Sequence, residues 1–137
     1  MIKLLTLFVA TLSFTACASM QNMMKSNFAK KAETLGIAAT DVEAVDRQSQ
    51  VYYGDYQRTA SQKVGLNDQM LQTQVNAQMT KITNIFCGCV KKLGDKCQAN
   101  PAGMSGTDKD MWVKGNGAAE ALSLIQKSNV DAMSCPS

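Results

Sequence analysis

The sequence predicts an all-α fold, a small disulfide-stapled bundle of three or four helices built on a long αα-hairpin. Three observations predict it. Apolar residues recur at helical spacing over long stretches, cap and turn residues fall where those stretches stop, and four cysteines after residue 80 can bridge the elements.

From Ser19 to about Leu35, the residues Met20, Met23, Met24, Phe28 and Leu35 mark a short amphipathic helix, and Gly36 is placed as its C-cap. Thr40-Asp41-Val42-Glu43 then has the spacing of a capping box, in which hydroxyl and carboxylate satisfy each other's backbone donors. A second helix should start there. Its apolar positions are Val42, Val45, Tyr52, Tyr56, Ala60 and Val64, although Val51-Tyr52-Tyr53-Gly54 carries β-favouring residues and a glycine and leaves helicity over 51–56 open.

Gly65 can end that helix, and Asn67 or Asp68 can cap the next. Its stripe runs through Met70, Leu71, Val75, Met79, Ile82, Ile85, Phe86, Cys89, Val90 and Leu93, the clearest periodicity in the chain. Two long helices joined by so short a turn lie antiparallel, so residues about 41–93 form the hairpin, with Gly94 as terminator. From about 95 to 117 the chain is polar and rich in Gly, Asn and Pro. A long loop is expected there, with Met111-Trp112-Val113 as its apolar anchor. A last helix, about 118–133, places Ala118, Leu122, Ile125, Asn129 and Met133 on one stripe and leaves Glu120, Gln126, Lys127 and Asp131 toward solvent or near the boundary.

Cys87, Cys89, Cys97 and Cys135 are an even set and favour two disulfides in an oxidising compartment. Of three possible connectivities, the one pairing Cys87 with Cys89 is the least favoured, because the two share one helical turn and point about 160° apart. Cys89 lies on the apolar stripe and Cys87 well off it. Two connectivities remain. Cys89–Cys135 with Cys87–Cys97 is slightly favoured over Cys89–Cys97 with Cys87–Cys135, and either one ties the C-terminal region to the hairpin.

The first residues give an address. Lys3 is followed by about a dozen uncharged, mostly apolar residues and then by Thr15-Ala16-Cys17, the layout of a cleavable export signal. A spanning helix needs about 20 apolar residues, so this run is not expected to remain in a membrane. Phe14-Thr15-Ala16-Cys17 resembles the lipobox of bacterial lipoproteins. The resemblance covers only the start of the chain. It implies a signal peptide over 1–16, diacylglycerol and palmitate on Cys17, and a lipid-anchored domain over 17–137. Ala18 in place of Asp implies the outer membrane, with the domain in the periplasm or at the cell surface.

Without the signal, 13 Lys and Arg (14 less Lys3) face 11 acidic residues. That balance predicts no attraction to nucleic acid. There is no histidine, so the commonest general base and metal ligand are missing. No phosphate loop, hydrolase elbow or calcium loop is present, and the carboxylates Asp41, Glu43 and Asp46 suit the positive end of a helix dipole. The expectation is a non-enzymatic envelope protein without cofactor, metal or small-molecule substrate. It would bind a protein partner, as an inhibitor or immunity protein or as part of an envelope assembly. Candidate contact residues are Tyr53 and Arg58 in an aromatic and charged cluster, Trp112, and the methionines Met23 and Met24. The alternative is soft-metal binding, of copper or silver, or thiol redox chemistry through Met and Cys residues, Cys87-Gly88-Cys89 above all.

Overall fold

The computed structural model describes residues 26–62, 67–126 and 135. The expected signal peptide over 1–16, Cys17, Met23, Met24, Gly65 and the helix expected beyond 126 lie outside them. Among the described residues are four α-helices: α1 (Asn27–Leu35), α2 (Ala39–Ser61), α3 (Asp68–Leu93) and α4 (Gly106–Gln126). A short 3₁₀ helix, Gly94–Gln98, follows α3 directly. No strand occurs among these residues, and two disulfides staple the bundle.

The local signals explain most of the boundaries. Ser26 caps α1 by accepting the Ala29 N–H at 3.0 Å, and Gly36 closes it at φ 69°, where its N–H reaches back to the Ala32 carbonyl. Asn67 caps α3 by accepting the Met70 N–H at 2.8 Å. α2 runs unbroken through 51–56. The expected capping box does not form. α2 starts earlier, after Ala38, with no side-chain cap; the Asp41 and Val42 N–H groups bond to the Ala38 carbonyl instead, and Asp41 pairs with Lys109 at 2.8 Å.

The expected loop over 95–117 is corrected from Gly106 onward, because α4 begins there and runs straight through Gly115-Asn116-Gly117. These residues serve close packing. A Cβ on Gly115 would lie 2.4 Å from Cys89 Cβ, and one on Gly117 would lie 2.8 Å from Gln48 Cβ and 3.2 Å from the Ser49 backbone nitrogen. Asn116, buried between them, donates to the Cys97 and Trp112 carbonyls, each at 2.8 Å. Glycine here lets three backbones approach, and asparagine satisfies carbonyls that burial would leave bare.

α4 is thus the central helix. It packs on α2 and α3, and α1 covers part of its remaining face. One core gathers Ile82, Phe86, Ala118, Ala121 and Leu122, with Tyr52, Tyr53 and Tyr56 against it; a second holds Phe28, Ala32, Val45 and Trp112 under α1. α1, nine residues long, is too short to be stable alone, and both its ends are held by distant residues. Glu120 and Ser123 meet its first turn, and Asn100 donates to the Leu35 and Gly36 carbonyls at 3.0 and 3.2 Å.

The disulfides are Cys87–Cys135, with a Cα separation of 5.4 Å, and Cys89–Cys97, at 5.8 Å. The slightly favoured pairing is therefore overturned. Cys89 is core-facing as expected, but Gly94, at φ 59°, turns the chain back so that Cys97 meets it first. Cys135 returns instead to the half-buried Cys87, beside the Ile82–Phe86 core.

Candidate functional site

The sequence-derived contact residues are not brought together. Trp112 is corrected from surface candidate to core: it is fully buried, its Nε1 donates to the Ala99 carbonyl at 3.0 Å, and it meets Phe28 edge to face at 5.8 Å. Tyr53 is half-buried with Tyr52 and Tyr56 against the core. Arg58 is exposed and pairs with Asp55 one turn back on α2.

Two surfaces remain with chemical potential. The first is the end of the hairpin. No residue of α2 beyond Ser49, and none of α3 before Ile82, is buried. Beside Arg58 a shallow groove on α2 is lined by Val51, Gly54 and Tyr56, and Val51 is 55% exposed. On α3 the stretch from Gln69 to Thr80 contains no charged residue. It offers Met70 at 49% exposure, half-buried Leu71, Val75 and Met79, and exposed Gln72, Thr73, Gln74 and Asn76.

The second surface is a cleft of about 520 Å³ between α1 and α4, with Phe86 of α3 and Gln98 of the 3₁₀ helix also lining it. Its wall includes Glu120, which is only 5% exposed. The stripe reading leaves Glu120 toward solvent or near the boundary, and the structure differs because α1 covers that side of α4. The Glu120 carboxylate meets the open N-terminus of α1: Oε2 accepts the Phe28 N–H at 3.1 Å, while Oε1 is buried with no hydrogen-bond partner among the described residues. Burial raises its pKa, the Phe28 and Asn27 N–H groups oppose that, and Asp46 adds to it. Next to it Asn27 Nδ2 donates to Ser123 Oγ at 2.8 Å.

Sequence reasoning missed Glu120, yet a signal existed. It is the only charged residue between Lys114 and Lys127, inside Gly-Asn-Gly-Ala-Ala-Glu-Ala-Leu-Ser-Leu-Ile. A lone acid in such a stretch is either a breach of the pattern or a buried group with a task.

With Cys87, Cys89, Cys97 and Cys135 all in disulfides, a thiolate metal site on Cys87-Gly88-Cys89 has no ligands to offer. Among the described residues no group of three or more His, Cys, Asp or Glu is arranged to hold a metal ion, and no helix is long and apolar enough to cross a membrane. Compared with protein-family models, with curated proteins and with solved structures, the chain matches none.

Proposed function

We propose that this protein is a lipid-anchored component of the bacterial cell envelope that binds another protein, without catalysis, through the far end of its helical hairpin. The observation that carries the reading is the uncharged stretch of α3. Soluble surfaces are about 25–35% charged, whereas twelve consecutive residues there, Gln69 to Thr80, carry no charge while most of them are exposed. Depletion of charge around partly exposed apolar residues is the composition of a protein-binding core. Long Gln and Asn side chains can hydrogen-bond a partner's backbone without the desolvation cost of an ion.

The anchor rests on the lipobox-like Phe14-Thr15-Ala16-Cys17. After cleavage of 1–16, lipid on Cys17 would hold the protein to the outer membrane, in the periplasm or at the surface. Nine Cα steps then separate Cys17 from the cap of α1 at Ser26, a reach of at most about 30 Å. Two or more acyl chains at roughly 0.8 kcal/mol per buried methylene make such an anchor stable.

The test uses the full chain in its own cells, with a photo-crosslinking residue at Gln72 or, as a control at the other end of α3, at Lys92. A discrete protein adduct from Gln72 and none from Lys92 supports the reading; no adduct above background from Gln72 rejects it. In parallel, Cys17→Ser should release the protein from the membrane fraction and abolish labelling by radioactive palmitate. Retention of both rejects the anchor.

A further inference from the structure

Glu120 Oε1 is the clearest unspent capacity in the molecule. It is a carboxyl oxygen buried without a partner among the described residues, and a buried acceptor left bare costs stability unless something supplies a donor. Within the fold its neighbours are already committed. The Asn27 amide is spent on Ser123, and the Asn116 amide on the Cys97 and Trp112 carbonyls. The cleft beside it lies in the size range of small-molecule sites, roughly 300–1,000 Å³. Phe28, Phe86 and Ala119 are the apolar residues of its lining, and the exposed Lys30 also lines it.

We infer that this cleft binds a small zwitterion of short-peptide type. Its ammonium group would reach Glu120, its apolar body would lie along the part of the lining formed by Phe28, Phe86 and Ala119, and its carboxylate would face Lys30. Each part of the ligand is called for by a different wall. The ammonium supplies the donor that Oε1 lacks and the opposite charge that offsets burial of a carboxylate. A simple cation is disfavoured because Lys30 lines the same cleft. A simple anion is disfavoured by Glu120. A molecule with both charges, separated by an apolar stem, meets neither objection. The inference is independent of the hairpin surface, which lies on α2 beyond Ser49 and on α3 before Ile82, whereas α3 gives the cleft only Phe86.

The experiment titrates the full chain, both disulfides formed, with the dipeptide alanyl-phenylalanine, its N-acetyl form and its C-terminal amide. Binding is followed by amide chemical shifts of Asn27, Phe28 and Ser123. The dipeptide should shift all three in a saturable way, the N-acetyl form should bind at least tenfold more weakly, and the amide several-fold more weakly. Glu120→Gln should remove the tenfold preference for the free ammonium, and Lys30→Gln the preference for the free carboxylate. Both variants are first checked for a native amide spectrum. Equal binding of the three probes, no saturable shift from any of them, or an unchanged ammonium preference in Glu120→Gln overturns the inference. The probe comparison on the unmodified chain decides even if the Glu120 variant fails to fold.

Discussion

Gly115 and Cys89 are in such close apposition that the space a β-carbon would occupy on the first is filled by the side chain of the second, with Cβ to Cβ at 2.4 Å and Cβ to Sγ at 2.7 Å. The disulfide to Cys97 fixes that sulfur, so it has no other rotamer to adopt. Gly115→Ala must therefore push α4 away from α3. We expect a loss of about 1–3 kcal/mol, read from urea denaturation with the disulfides intact.

The glycines at 54 and 88 are also helical but have nothing within 4 Å of a built β-carbon. There alanine only removes backbone freedom from the unfolded chain. Gly54→Ala and Gly88→Ala should each raise stability by about 0.5–1 kcal/mol. The opposite signs at 115 and at 54 and 88, in the same assay, check that close packing and not helix propensity sets the Gly115 result.

The two disulfides differ in what they restrain. Cys87–Cys135 spans 48 residues and Cys89–Cys97 spans 8. On the loop-entropy account, replacing the first pair by alanines costs about 4 kcal/mol and replacing the second about 2.5 kcal/mol. Thermal unfolding of the two double variants should rank them in that order, the long-range pair having the lower Tm.

Trp112 joins the second core to the connection ahead of α4 through its indole donor and its contact with Phe28. Trp112→Ala should cost about 3–5 kcal/mol. Trp112→Phe, which keeps most of the volume and loses the bond to Ala99, should cost less than half as much. Tryptophan fluorescence of the wild type should be blue-shifted and protected from acrylamide until the protein unfolds, since the chain has one Trp.

Burial raises the pKa of Glu120 above the ordinary carboxyl value of 4.5 despite the N–H groups of Phe28 and Asn27. The folded protein then holds this proton at pH values where the unfolded chain has released it. Its contribution favours the fold below the ordinary range and is lost as pH rises through the raised value. The Tm difference between Glu120→Gln and wild type should move in favour of the variant as pH goes from 4 to 7. A difference independent of pH would show that the carboxyl does not titrate abnormally.

What could be read in the sequence is what local chemistry decides. The stripe of α3, its Asn67 cap and the stops at Gly36 and Gly94 depend on residues a few positions apart, and each is where the pattern put it. Gly115 and Gly117 were misread because a glycine that permits a turn and a glycine that permits close approach are the same letter; the partners that distinguish them, Cys89 and Gln48, are remote in sequence. The cysteine pairing failed for a related reason. Spacing allowed both alternatives, and the choice fell to the reversal at Gly94. Glu120 was misplaced because a helical wheel assumes one buried face, and α4 has more than one. The cleft was out of reach altogether, since the bond that defines it joins residues 92 positions apart.

The Cys87–Cys135 bridge has one more consequence. The connection from Gln98 to Gly106 includes the exposed residues Asn100, Ala102, Gly103 and Ser105, an accessible target for a protease between α3 and α4. A cut there separates Cys87 from Cys135 along the backbone, but the bridge still joins the two pieces. Clipped protein should therefore migrate as one species on a non-reducing gel and as two after reduction. On the proposed lipid anchor, a nicked copy would keep α4 attached through the bridge and not shed it.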